Sequence, residues 1–216
     1  MIKRFFATLF VAFFLMGNSL PSQAHPHSWI DLETALLFDE KGQVTGLWVG
    51  WLFDDYYSAF TLEGMTPNAQ GAYDQQALNQ LAEQNLKNLS EYSYFTFIQA
   101  DGQKADVHPV TDYKTFVENN RLWMEFTITL KEPLHPKTQK LEYAVYDPTY
   151  YVEILHAVEG DPIQLIGEGA ASCGYQLKKP EPPQELSLMA AGLDKDESAG
   201  DGIGVHFAER IEISCQ

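Results

Sequence analysis

The sequence predicts a mainly β, α+β domain: an antiparallel β-sandwich with a helical insertion between its second and third strands. Three observations carry this. Runs of five to ten residues alternate apolar with polar side chains along much of the chain, most cleanly over residues 122–130. Gly-, Pro- and Asp-containing turns separate these runs at short spacing. Only one long stretch, residues 74–90, changes to a helical period.

A leader stands ahead of the first strand. Lys3 and Arg4 form a short positive segment, Phe5 to Met16 an apolar one, and Ser22-Gln23-Ala24 supplies small residues at the positions a signal peptidase reads. Residues 1–24 are therefore expected to be a cleaved signal peptide, too short in its apolar part to span a bilayer. Residues 25–216 form one domain exported to the periplasm, and its mature chain, beginning at His25, does not insert into the membrane. Removing the leader leaves 12 basic against 30 acidic residues, a formal charge of −18. Such a surface repels phosphate backbones and anionic headgroups, which excludes nucleic acid as a partner. The two cysteines, Cys173 and Cys215, are expected to pair in an oxidising compartment. Closing that loop contributes roughly 4 kcal/mol in the chain-entropy account.

The elements follow in order. Residues 28–38 read as a strand with Ile30, Leu32 and Leu36 on one face, turning through Asp39-Glu40-Lys41-Gly42 into a second strand at 44–53. That strand is apolar on both faces, as a central strand should be. The helical insertion spans about 54–90: a short helix opened by the aspartate pair Asp54-Asp55, a loop, then the long helix. Leu78, Leu81, Ala82, Asn85, Leu86 and Leu89 form its packing stripe. Further strands are predicted at 92–99, 122–130, 141–146, 150–158, 163–166, 173–177 and 205–215. Residues 178–204 shift to Pro, Glu, Asp, Gly and Ser and read as a mobile loop, with a short helix near 186–193.

Two constellations carry chemistry. The first is the mature terminus His25-Pro26-His27, where an α-amine and two imidazoles fall within three residues and all lose protons near neutral pH. In an extended chain His25 and His27 point to the same side. Pro26 has no amide hydrogen, which excludes the square-planar mode that uses the amide of residue two. Amine plus imidazole donors suit Ni, Co, Cu or Zn. The second constellation is carboxylate: Asp54 at the end of the second strand and Asp147 at the end of the 141–146 strand, positions that also suit a helix cap and an Asx turn. His156 shares a face with Val152 and Ile154 and reads as a core residue. His108 and His135 read as surface residues, and His206 as a weak ligand candidate. No G-x-S-x-G, H-E-x-x-H, P-loop or Rossmann pattern occurs, and no catalytic residue is assigned.

Several blocks carry a resemblance: His25-Pro26-His27-Ser28-Trp29-Ile30-Asp31, Trp51-Leu52-Phe53-Asp54-Asp55-Tyr56-Tyr57-Ser58-Ala59-Phe60, Tyr146-Asp147-Pro148-Thr149-Tyr150-Tyr151 and Phe207-Ala208-Glu209-Arg210. Together with Glu91 to Phe97 and Thr111-Asp112-Tyr113, they resemble a domain-of-unknown-function family of Gram-negative secreted proteins. That family is labelled an uncharacterised ABC-type transport system periplasmic component, and its members are often encoded beside NicO-type nickel/cobalt exporters. The resemblance implies periplasmic metal handling and a site combining His25, His27, Asp54 and Asp147. Many relatives carry an Asp-rich, EF-hand-like loop ahead of the long helix; here residues 65–74 offer only Asn68 and Asp74, too few for calcium.

The expected function is thus a non-enzymatic periplasmic metal-binding accessory that delivers or buffers a divalent transition ion for an inner-membrane transporter. One alternative is a solute-binding accessory of an ABC-type transporter, recognising a small organic ligand through Trp48, Trp51, Tyr56, Tyr57, Tyr150 and Tyr151. Another is a histidine-brace copper oxidoreductase.

Overall fold

The computed structural model of the chain describes residues 26–193, 200 and 202–216. Two sheets form a mainly β, sandwich-like α+β fold. The first has the order β5(Tyr113–Glu118)-β6(Arg121–Leu134)-β2(Val44–Phe53)-β1(Ser28–Phe38)-β8(Val152–His156), and β9(Ile163–Ile166) also pairs with β1. The second has the order β10(Cys173–Lys178)-β11(Arg210–Cys215)-β7(Leu141–Val145)-β3(Thr96–Ala100)-β4(Gln103–Lys104). The doubly apolar β2 is central, between β6 and β1.

Alternation does what the sequence suggests. Ile30, Leu32, Leu36, Leu47, Val49, Met124, Phe126 and Ile128 of the first sheet join Ile98, Leu141, Tyr143, Ile211 and Ile213 of the second in one buried cluster. The intervening residues, Glu33, Trp48 and Glu125 among them, stay partly exposed on the outer face. Between β2 and β3 lie α1(Asp55–Thr61) and α2(Gln75–Leu89). α2 begins at Asp74, whose side chain accepts from the Gln76 N–H, and its stripe residues Leu78, Ala82 and Leu86 enter the same core. α1 is tied down by Ser58, which is fully buried and accepts the Leu122 N–H of β6 at 2.9 Å. Cys173 and Cys215 are disulfide-bonded and stand opposite each other in the β10–β11 register.

Several expectations are corrected. Residues 92–99 are not one strand: a 3-10 turn occupies Ser90–Phe95 and the strand starts at Thr96. Ser93, Tyr94 and Phe95 are consecutive left-handed residues, with φ of 58°, 55° and 54°, and this reversal delivers the chain from α2 into β3. The 150–158 strand is confined to Val152–His156 because Asp147 holds the preceding residues in a turn. Residues 204–206 form a 3-10 turn before the last strand. Two further strands, β4 and β5, join the sheets; β5 pairs with β6 through Asn119-Asn120, both at positive φ. The first sheet is also mixed rather than wholly antiparallel: β8 and β9 run parallel to β1, over Ser28–Leu32 and Thr34–Leu37 in turn. The chain reaches β8 from the second sheet, and such a crossover does not force the antiparallel direction that a tight hairpin does. The short helix expected near 186–193 within the 178–204 loop is present as α3(Gln184–Ala191), two residues earlier. Residues 194–199 and 201 of that stretch lie outside the described residues.

Candidate functional site

Asp54 follows the last paired residue of β2 and continues the pairing with β1: its N–H donates to the Trp29 carbonyl at 2.9 Å. It is also the N-cap of α1. Oδ1 accepts the Tyr57 N–H at 2.8 Å, while Oδ2 accepts the Ser28 hydroxyl at 2.7 Å and the Trp29 N–H at 2.8 Å. Partial burial raises the carboxyl pKa, but the N–H groups of Trp29 and Tyr57 and the Ser28 hydroxyl outweigh it and hold Asp54 below the usual range. One carboxylate thus fastens the start of β1 to the start of a helix.

Asp147 fastens the other side. It is 4% exposed. Oδ1 accepts the Thr149 N–H and hydroxyl, each at 2.9 Å, and Oδ2 accepts the N–H groups of Tyr151 and Val152, each at 3.1 Å. This Asx-type nest carries the chain through Tyr150, which has φ 58°, into β8. The outer side of the turn is closed by the C-terminal segment. Tyr150 stacks on Phe207 at 3.9 Å between centroids and packs with Ala190 and Ile203. Gly204 passes so close that a Cβ there would collide with the Asp147 carbonyl.

His27 stands between the two carboxylate devices. Its N–H donates to the Tyr151 carbonyl at 2.9 Å, its ring lies 4.5 Å from the Tyr151 ring, and Ser28 pairs with Val152 one residue on. The fold therefore gathers His27, Asp54 and Asp147 at one end of the first sheet. A carboxylate has about four acceptor positions. Asp147 uses all four on its own loop, so in this conformation its role is to build the turn; Asp54 is committed likewise, to the Ser28 hydroxyl and the N–H groups of Trp29 and Tyr57, with the Tyr56 N–H beside them. His25 lies outside the described residues. Among the described residues no group of three or more His, Cys, Asp and Glu side chains could hold a metal ion.

The other histidines divide as their contexts suggest. His108, His135 and His206 are exposed, and His156 is buried. The six aromatics of the organic-ligand alternative do not share one pocket. Trp48 and Trp51 point to opposite faces of β2; Trp48 lines an outer cleft with Glu33 and Gln164, and Trp51 faces the core. Tyr56 is 89% exposed, Tyr57 stacks on Phe53, Tyr150 sits in the C-terminal cluster and Tyr151 is beside His27. Trp51 and Tyr57 do share a cleft, whose other walls include Asn85 and Asn88 of α2. Asn85 was legible as a polar residue inside an apolar helical stripe. A buried chain of Glu209, His156, Thr34 and Tyr143 also links the sheets, and nothing in the spacing of these residues announces it.

Fold and site together define a β-sandwich-like protein whose first strand is fastened at its start by two carboxylates. The chain belongs to the family described as "Protein of unknown function (DUF1007)", whose model matches residues 10–215. An uncharacterized protein of Haemophilus influenzae is 28% identical over 198 residues, covering 89% of this chain and 92% of its own length.

Proposed function

We propose that the protein is an exported, periplasmic, non-enzymatic metal-binding accessory that buffers a divalent transition ion (Ni, Co, Cu or Zn) or hands it to an inner-membrane transporter. After leader removal the α-amine and imidazole of His25, with the imidazole of His27, are the donors; the carboxylate of Asp54, in exchange for one of its present hydrogen bonds, is the oxygen that completes the set. Asp147 serves by holding the Tyr151 turn against which His27 is fixed.

The observation that carries the reading is the fastening of the start of β1. Asp54 takes hydrogen bonds from Ser28 and Trp29, and Tyr151 takes one from His27, so the residues next to the mature terminus have a fixed path. Holding a short donor arm in place lowers the ordering cost of binding. Amine and imidazole nitrogens suit the later first-row ions, and Pro26 directs coordination away from the backbone amide. The nickel/cobalt exporters encoded beside similar proteins agree with this choice of cargo.

The test is calorimetric titration of protein starting at His25 with Cu, Ni, Co and Zn, against a variant extended by one N-terminal residue and a His27→Ala variant. The native terminus is expected to bind at least one ion about tenfold or more tightly than either variant. Equal affinity of the extended form, or no binding of any of the four ions, would overturn the reading.

A further inference from the structure

Between β8 and β9 the chain leaves the edge of β1 and returns to it. The Ala157 N–H donates to the Leu32 carbonyl at 3.0 Å, and the Thr34 N–H donates to the Pro162 carbonyl at 2.7 Å, with Glu33 between the two attachments. Beside this break the outer face of the first sheet holds a cleft of about 450 Å³, within the range of small-molecule sites. Glu33 and Leu37 of β1 and Trp48 of β2 line it from the sheet, and Asp161, Pro162 and Ile166 from the returning segment.

The lining is specific in its chemistry. Glu33 is partly buried and has no hydrogen bond or ion pair among the described residues, yet its carboxylate oxygens reach solvent. Gly50 alone separates it from Glu125 across the strands, and burial, then the Glu125 charge, raises the Glu33 carboxyl pKa. Asp161 adds a second carboxylate, and the described lining contains no lysine, arginine or histidine. Two cations nearby on the sheet are engaged elsewhere: Arg121 Nη2 lies 2.9 Å from Asp31 Oδ2, and Lys114 Nζ sits over the Phe116 ring at 4.4 Å from its centroid.

The aromatic component is built in by a glycine. A Cβ at Gly50 would come within 2.7 Å of the Trp48 ring, so the indole takes the place of a side chain in the row between Glu33 and Glu125. Glycine inside a strand weakens it and marks a close approach of this kind. An indole beside unmatched carboxylates attracts a cation twice over, through its ring quadrupole and through their charge. Leu37, Pro162 and Ile166, the last 47% exposed, supply apolar surface at the same place.

We propose that this cleft binds an organic cation, its ammonium or guanidinium group held by Glu33 and the Trp48 indole and its apolar body resting on Leu37, Pro162 and Ile166. A neutral or anionic molecule would leave Glu33 unmatched. The inference stands apart from the metal reading, since neither His27 nor Asp54 lines the cleft.

The experiment follows the indole N–H resonances of full-length mature protein labelled at tryptophan, with that of Trp48 assigned by its loss in Trp48→Phe. Benzylamine is titrated against benzyl alcohol, which lacks the charge, and methylammonium, which lacks the apolar body. About 0.15 M salt screens long-range attraction to the acidic chain. Benzylamine is expected to shift the Trp48 resonance saturably and to bind about tenfold more tightly than either comparison compound. Glu33→Gln should remove most of its advantage over benzyl alcohol, while Glu83→Gln, an exposed carboxylate on α2, should leave it unchanged. Should Glu33→Gln fail to fold, Ile166→Lys at its exposed position places a competing ammonium at the cleft and should weaken benzylamine about fivefold or more. No saturable binding of benzylamine, equal affinity for benzyl alcohol or methylammonium, a fixed Trp48 resonance, or unchanged affinity in Glu33→Gln or Ile166→Lys would overturn the proposal.

Discussion

Glu209 holds His156 twice through a single oxygen: Oε2 accepts both the backbone N–H and the ring Nδ1–H of His156, each at 2.8 Å. The carboxylate can only accept, so it fixes a ring proton on Nδ1, while Nε2 hydrogen-bonds the Thr34 hydroxyl at 3.2 Å. The Thr34 oxygen in turn meets the Tyr143 hydroxyl at 2.8 Å. Glu209 precedes β11, His156 ends β8, Thr34 lies on β1 and Tyr143 on β7, so four side chains stitch both sheets across an apolar core. Burial alone would raise the Tyr143 phenol, and the net shift is upward, so it remains a neutral hydrogen-bonding group.

This network gives the fold a carboxylate-dependent stability. Burial raises the Glu209 pKa, but the ring and backbone hydrogen bonds from His156 outweigh it and the net shift is downward. A carboxyl with a lowered folded-state pKa stabilises above its unfolded value, near 4.3, and that contribution is lost as pH falls through the folded value. Glu209→Gln should lose about 1–3 kcal/mol near neutral pH, since a buried carboxylate that accepts two hydrogen bonds from His156 is replaced by a weaker acceptor. Urea unfolding of wild type and variant should converge as the pH drops below about 4; a constant gap would contradict it.

Ser58 gives a sharper test of how α1 is mounted. Its hydroxyl accepts the Leu122 N–H of β6 and donates to the Phe53 carbonyl at 3.4 Å. Ser58→Ala changes almost no volume yet leaves a buried backbone donor unmet. The expected loss is about 1–3 kcal/mol in urea or thermal unfolding, with native circular dichroism kept.

The two aspartates should differ in weight. Asp54→Ala removes a helix cap and two contacts to β1, for a loss of about 1–2 kcal/mol. Asp147→Ala unmakes four bonds in a buried turn that also carries Tyr150 at positive φ, for about 2–4 kcal/mol. Chemical unfolding of the pair checks the order, and proteolysis of Asp147→Ala should cut first near residues 147–152.

The β5–β6 turn offers a stabilising change. Asn119 and Asn120 have φ of 51° and 63° between the paired residues Glu118 and Arg121, the pattern of a two-residue hairpin turn. Glycine accepts such angles without steric cost. Asn120→Gly should be neutral or stabilising by up to about 0.5 kcal/mol, while Asn120→Val should lose about 1 kcal/mol or more, both read as shifts in thermal midpoint.

Much of this was written in local pattern. Alternation in β1 and the apolar run of β2, each bounded by turn residues, located both strands to their terminal residues, and the Leu78–Leu89 stripe located α2, because those signals are local. The cysteine pair was also foreseeable, whereas the nearness of Asp54 and Asp147 was only what the family resemblance implied. What failed was whatever depends on partners far along the chain. Tyr92 to Phe95 has strand composition, yet contacts with Val110 and Tyr146 hold it in a left-handed turn. Trp48 and Trp51 look like companions in sequence, but an odd spacing on a strand sends them to opposite faces. The four residues from Thr34 to Glu209 meet only because β1, β7, β8 and β11 do, and their spacing carries no trace of it.

The order in which the sheets draw on the chain has a consequence for how the protein can be made. Sheet one takes residues 28–53, 113–134 and 152–166, and sheet two takes 96–104, 141–145, 173–178 and 210–215. Neither layer is a contiguous segment. The last strand in the sequence, β11, lies between β10 and β7, so a chain lacking its final residues would expose two raw strand edges rather than lose a fringe. Completing either sheet therefore needs nearly the whole polypeptide, and folding is expected to be slow, as for other topologies rich in non-local pairing. A fragment released before β11 is made is expected to present those edges and to aggregate rather than to form a smaller working domain.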